Sequence, residues 1–225
     1  FSRPLRWFVS LLGETVIPFE YAGLTAGRTT YGPRAEGSPE LIVRSADAYL
    51  PLMAEHHVIV DRAARRAEVS RQVAQLAADV NGAIPDDPAL LDEVTDLIEQ
   101  PTALRGGFEA DYLRLPKEVL ITVMKKHQRY FPVVDAQGKM LPHFIAVRNG
   151  GTDYLDVVQA GNEGVLRARY ADASYFFRAD TARPLEAFTP RLSTLTFQEK
   201  LGSMLDKVRR VEQLAPRLGE LLGLD

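Results

Sequence analysis

No cysteine occurs among the 225 residues. That excludes disulfides, thiolate metal sites and a cysteine nucleophile, and it fits a reducing compartment. Long apolar runs are missing as well. The most apolar stretch, Trp7 to Leu12, falls far short of the roughly 20 residues needed to cross a bilayer, so no membrane partner is expected. Charge of one sign is also scarce: the formal net charge is −3, which sets up no global basic field for nucleic acid. The phosphate-binding G-x-x-x-x-G-K-[ST] loop is absent. Gly23, Gly27 and Gly32 do not form the dinucleotide fingerprint, and neither G-x-S-x-G nor His-Glu-x-x-His occurs. Of the four histidines, His56, His57, His127 and His143, the adjacent pair would point about 100° apart on a helix. No catalytic residue and no metal ligand is assigned.

What remains is an ordinary globular composition, 46% hydrophobic and 25% charged, in a 25.0 kDa chain. That is enough for one large domain or two modest ones. The chain starts at Phe1 without an initiator Met or a signal-peptide pattern, and it ends at Asp225 where a helical pattern has run its course; it reads as an internal fragment. Charge is unevenly spread. Residues 1–44 are net +1, 45–100 net −7, 101–178 net +3, and 179–225 neutral. The acidic block is expected to solvate helix surfaces, which leaves any polyanion contact to 1–44 and 101–178.

Two apolar runs, 5–12 and 15–21, flank Gly13-Glu14 and predict a hairpin, with Pro18 at an edge or bulge. Residues 22–40 read as loop with room for a short strand, and Leu41 to Val43 as a short strand. Helices are expected from Ser45 to about His56, from Asp61 to about Val80, and from Pro88 to Ile98. Ser45, Asp61 and Asp87 are their N-caps. Thr102 to Leu104 reads as a strand and Pro116 to about Lys126 as a helix. The clearest hairpin pairs Tyr130–Val134 with Leu141–Val147 across Asp135-Ala136-Gln137-Gly138. A long helix is expected over about 157–177, partial helix over 184–195, and an amphipathic helix over 203–222. That last helix should turn Leu205, Val208, Val211, Leu214, Leu218 and Leu221 inward. Hairpins and clustered helices together predict an α+β fold.

Three basic clusters are candidate polyanion contacts. Lys125, Lys126 and Arg129 stand beside Tyr130, where a helix hands over to a strand; phosphates would meet the cations and a base would stack on the Tyr130 ring. Cations at a helix C-terminus also answer the helix dipole, so a structural role competes. Arg167 and Arg169 follow Gly161-Asn162-Glu163; salt bridges to Glu163 or Asp172 are the competing reading. Arg28 and Arg34 sit in a Gly-rich loop suited to a phosphate, or to a plain polar turn.

In order along the chain, these strings resemble one family. They are Trp7…Leu11-Leu12-Gly13…Val16-Ile17-Pro18, Ala22-Gly23-Leu24…Arg28-Thr29-Thr30…Gly32…Arg34, Leu90-Leu91-Asp92-Glu93-Val94-Thr95…Ile98-Glu99…Pro101, and Leu115-Pro116-Lys117-Glu118-Val119-Leu120-Ile121-Thr122…Met124…His127-Gln128-Arg129-Tyr130-Phe131-Pro132-Val133. Further on come Gly138-Lys139…Leu141-Pro142…Phe144-Ile145-Ala146-Val147…Asn149, then Gly161-Asn162-Glu163…Val165-Leu166-Arg167-Ala168-Arg169…Phe176-Phe177, and last Phe197-Gln198-Glu199-Lys200-Leu201-Gly202-Ser203…Asp206-Lys207. The chain resembles the beta subunit of the bacterial two-subunit glycyl-tRNA synthetase over its whole length. It departs at Gly32-Pro33-Arg34, where the family often has Gly-His-Arg, and at Gln100-Pro101, where Trp commonly precedes the Pro.

The resemblance implies a part of glycine–tRNA ligase that works in the cytoplasm on glycine tRNA beside an alpha subunit. It implies that adenylate chemistry, with ATP and Mg, belongs to that alpha subunit, and that no cofactor sits in this stretch. It implies a B3/B4-like α+β module over 1–190, with the helical block 45–100 inside it, and the start of an HD-like helical domain over 191–225. The cations Arg28, Arg34, Lys125, Lys126, Arg129, Arg167 and Arg169, with Tyr130, become the candidate tRNA contacts. Two other roles stay open beside tRNA handling: hydrolytic editing, for which glycine's small size leaves little need, and pure assembly.

Overall fold

The computed structural model describes residues 5–224; Phe1 to Pro4 and Asp225 lie outside the described residues. Contacts divide the chain into Phe1–Ala173 and Ser174–Asp225.

The first unit opens with three short antiparallel pairings. β1 (Leu11–Leu12) turns into β2 (Thr15–Val16) at Gly13, whose φ is +57°. The expected hairpin is there, with much shorter strands. β3 (Glu20–Tyr21), at the end of the run expected to be the first hairpin's second strand, and β4 (Leu24–Thr25), in the segment expected to be loop, form a second hairpin. Its two turn residues, Ala22 and Gly23, both have positive φ, the conformation a tight two-residue hairpin requires. β5 (Thr29–Tyr31) pairs with β6 (Glu40–Ile42).

Three helices follow. Ser45 precedes a 3₁₀ turn, Ala46–Ala48, but its hydroxyl makes no capping bond; α1 is Tyr49–Glu55. α2 (Arg62–Ala78) is capped as expected, the Ala64 N–H donating to Asp61 Oδ1 at 2.7 Å. α3 (Pro88–Leu97) has Pro88 in its first turn, and the Leu90 N–H donates to Asp87 Oδ1 at 3.1 Å.

The core sheet is antiparallel, in the order β7-β9-β8: β7 (Pro101–Gly107), β8 (Phe131–Val134) and the central β9 (Met140–Asn149). Between β7 and β8 lie a 3₁₀ turn (Ala110–Arg114), α4 (Lys117–Thr122) and a π-helix, Val123–Gln128. Strand alternation sends Phe131, Val133 and Ile145 to one face, where Val69, Val73 and Ala77 of α2 and Leu90 and Val94 of α3 pack on them. Phe144 points the other way and stacks on Tyr130, centroids 4.6 Å apart. On that side α5 (Leu155–Thr181) buries Leu166 and Tyr170; the Tyr170 ring meets Phe108 edge-on at 5.1 Å.

A three-stranded sheet has two edges to protect. On the β7 edge the Gln72 amide acts as a short strand, donating to the Pro101 carbonyl at 3.0 Å and accepting from the Ala103 N–H at 2.7 Å. On the β8 edge Ala83 exchanges two bonds with Val134, of 2.7 and 2.9 Å. The Ala83 bridge needs Gly82 beside it: a Cβ there would lie 2.4 Å from Val133 Cγ1.

In the second unit, a 3₁₀ segment (Leu185–Thr194) precedes the small pair β10 (Thr196–Gln198) and β11 (Gly202–Ser203). α6 (Met204–Leu222) starts with a reciprocal capping box between Ser203 and Asp206. The expectation that its apolar stripe faces inward is corrected. Leu205 and Val208 are half-buried, but Val211, Leu214, Leu218 and Leu221 are exposed. The amphipathic pattern is real, yet among the described residues of this unit no second layer covers it.

Gly106 of β7 offers a direct test of the sheet. A Cβ there would lie 2.2 Å from Phe144 Cζ, and that ring is fully buried against Tyr130. Gly106→Ala is therefore expected to lower unfolding free energy by about 1–3 kcal/mol, the usual range for overpacking. Urea denaturation checks this; a variant as stable as the parent would show that the Phe144 layer is loose.

Candidate nucleic-acid interface

The Lys125–Tyr130 cluster is built by a change of helical pitch. α4 widens into the π-helix, which carries Lys125, Lys126 and His127, and Arg129 ends it in the left-handed region with φ +56°. The helix expected over 116–126 thus runs two residues further, in a wider form. π-helical turns are rare and concentrate at functional sites.

The structure separates the members of this cluster. Lys125 Nζ pairs with the Asp87 carboxylate at the head of α3. Arg129 Nε pairs with Glu93 Oε1 at 2.8 Å. The Tyr130 ring is buried, held against Phe144, and its hydroxyl donates to Asn162 Oδ1 at 3.0 Å. Burial pushes the Tyr130 phenol pKa up. The expected base-stacking role of Tyr130 is therefore corrected: the ring's face is spent on the core. Only Lys126 of the four is exposed and makes no ion pair among the described residues.

The other candidates divide in the same way. Arg28 donates to the Glu14 carbonyl at 2.9 Å and the Arg44 carbonyl at 3.4 Å, clamping the turn of the first hairpin to the segment that leaves β6. Arg167 Nε pairs with Glu109 Oε1 at 2.6 Å, a partner 58 residues away in place of the expected Glu163 or Asp172. Glu163 Oε1 instead accepts from the Gly107 N–H at 2.9 Å. Arg34, in a 3₁₀ turn, and Arg169, on α5, are exposed and make no ion pair among the described residues.

Arg129 and Tyr130 do line a cleft of about 230 Å³, with Gln128, Arg148 and Asn162. Arg148 donates to the Asp153 carbonyl at 2.7 Å. Sequence reasoning passed over Arg148, Gln128 and Asn162. Asn162 stood in a string carrying the resemblance, but nothing in local spacing ties it to Tyr130. Among the described residues, no group of three or more His, Cys, Asp or Glu side chains is placed to hold a metal ion, and no helix is long and apolar enough to cross a membrane.

The family model for the glycyl-tRNA synthetase beta subunit matches residues 1–224. The chain belongs to the glycyl-tRNA synthetase beta subunit family. The glycine–tRNA ligase beta subunit of Moorella thermoacetica is 48% identical over 224 residues, and those of Bacillus subtilis and Desulforamulus reducens are 46% identical over 225 and 47% over 223. These alignments cover 99–100% of this chain and 32–33% of the relatives, so the chain spans about a third of their length.

Several carboxylates of this unit pair with neighbouring donors, and those donors lower their pKa values. Donation from Arg71 and Gln72 lowers Glu68 to about 2. Arg66 lowers Asp92, Arg62 lowers Asp96, and Arg167 lowers Glu109. At Asp87 burial raises the pKa, but Lys125 and the Leu90 N–H together bring it below the ordinary value. A depressed folded-state pKa contributes stability above the unfolded value that disappears as pH falls through the folded one. For Glu68 that window runs from 4.5 down to about 2. Glu68→Gln should be less stable than the parent at neutral pH, and the two should converge as pH falls through that window. Thermal melts across pH check this; a gap independent of pH would contradict it.

Proposed function

We propose that this chain is the part of a glycine–tRNA ligase beta subunit that contributes tRNA contact and subunit scaffolding to ATP-dependent charging of tRNA with glycine. The match to the family along residues 1–224 carries this reading. Bond-making with ATP and Mg is assigned to the companion alpha subunit, in the cytoplasm. The first 190 residues are read as a B3/B4-like α+β module and 191–225 as the start of an HD-like helical domain. The mixture of small antiparallel sheets and packed helices before Ala173 supports the first assignment. The uncovered stripe of α6 supports the second, since a helix of a larger helical domain needs neighbours on that stripe.

Exposure and ion pairing rank the cations for tRNA. Arg34, Lys126 and Arg169 present charge to solvent. Arg28, Lys125, Arg129 and Arg167 are committed to partners within the chain. Phosphate contact releases counterions, so each lost contact lowers the salt slope of binding by somewhat under one, about 0.7–0.9. In the reconstituted two-subunit enzyme, Arg34→Ala, Lys126→Ala and Arg169→Ala are expected to weaken binding of glycine tRNA and flatten its salt dependence. Lys125→Ala should act mainly on folding. Titrations of tRNA at several salt concentrations check this. If the Arg34, Lys126 and Arg169 variants all keep affinity and slope, tRNA contact is removed from this segment and scaffolding remains.

A further inference from the structure

The uncovered stripe of α6 has the spacing of a helix-packing seam. Val211, Leu214, Leu218 and Leu221 recur at three, four and three residues. All four are exposed, Leu221 to 84%. With Ala215 and Arg217 they line an apolar groove of about 510 Å³. Alternation of three and four suits a second helix lying along the first at about 20°. At 100° per residue Pro216 falls on the opposite face, so it leaves the seam unbroken.

The end of α6 sets the direction of the chain that leaves it. Gly223 takes φ +62°. Its N–H donates to the Glu220 carbonyl at 3.3 Å, and the Leu224 N–H donates to the Gly219 carbonyl at 3.0 Å. These two bonds make a Schellman cap, which turns the chain off the helix axis. A connection of about two to five residues after such an end joins antiparallel helices. Leu224, just past the cap, is exposed as well, so the turn itself has apolar surface to cover.

Charge and tethering choose the occupant. Arg210 and Arg217, seven residues apart, flank the seam on one side; both are exposed and make no ion pair among the described residues. A second copy meeting this stripe across a two-fold axis would set arginine against arginine. The seam of Val and Leu gives RNA bases no ring to stack on. The chain spans about a third of the length of its relatives, so most of such a subunit is available in cis. A segment tethered by a short turn meets the seam at an effective concentration on the order of millimolar, which an untethered companion would have to outcompete. We propose that the residues following Asp225 in the full-length subunit form an amphipathic helix antiparallel to α6. Its aliphatic side chains cover Val211 to Leu221, and an Asp or Glu on its flank pairs with Arg217. The proposal deepens the assignment of 191–225 to the start of a helical domain, and rests on it: the cover comes in cis, and α6 is not a docking face for the companion subunit or for tRNA.

The test uses the full-length subunit, alone and then with its companion and glycine tRNA. In the free subunit the backbone amides between Val211 and Leu222 should exchange hydrogen at rates within about tenfold of those of the core helix α2. Adding the companion or tRNA should leave those rates unchanged. A photo-crosslinking residue in place of Leu221 should form its adduct in the same polypeptide within about 20 residues beyond Asp225, the reach of a short turn and one ordinary helix. Arg217→Glu leaves the apolar seam intact and decides the matter if the Leu221 variant misfolds. It should speed exchange of the same amides severalfold, and Lys in place of the acid nearest the adduct should restore the parent rates. An adduct with the companion, a second copy, RNA or residues ahead of Phe1 overturns the proposal and leaves the helical-domain assignment standing. Protection that appears only once the companion or tRNA is present does the same, as does exchange unaltered by Arg217→Glu. An adduct beyond Asp225 in a stretch with no slow amides overturns both, because the cover is then not a helix.

Discussion

Lys125 and Arg129 lie in a segment that is net basic, and Asp87 and Glu93 lie in the block with the greatest acidic excess. The structure joins them. α3 packs on the sheet through Leu90 and Val94 while its acidic side chains reach the π-helix and the residue that ends it. Apolar burial supplies most of the free energy of such a contact; the ion pairs set where the strand-entry segment sits. Once Arg129 is held in its left-handed conformation, Tyr130 turns into the core and β8 can begin at Phe131. The geometry of the Lys125–Tyr130 cluster, and which of its cations stay free, follow from this placement.

Local signals were read well where local chemistry decides. Gly13 marked the first hairpin, Asp61 and Asp87 capped their helices, and Asp135 to Gly138 joined the longest hairpin. Asp135 Oδ1 accepts from the N–H groups of Gln137 and Lys139, which closes that turn. The β3–β4 hairpin escaped because Ala22, an ordinary non-glycine residue, takes positive φ beside Gly23. The π-helix escaped because the apolar spacing of Leu120 and Met124 is compatible with either pitch. At α6 the period was legible and the environment was not: a stripe of Leu and Val says which face is apolar, not whether anything covers it.

The candidate site shows the same division. Composition placed Lys125, Lys126, Arg129 and Tyr130 side by side, but function depends on which of them tertiary contacts leave available. Partners 36 to 58 residues away, Glu93 and Glu109, decide that for Arg129 and Arg167. Such pairings leave no trace in local spacing. Family membership, by contrast, was legible in long collinear strings such as Leu115 to Val133 and is upheld by the match along residues 1–224.

A double-mutant cycle on Glu93 and Arg129, read in folding and in tRNA affinity together, bears on the central claim most directly. If the arginine is held as a structural partner, Glu93→Ala and Arg129→Ala couple in folding free energy and act independently, with small effects, on tRNA binding. Additive effects on folding, together with a large loss of tRNA affinity for Arg129→Ala alone, would contradict the account.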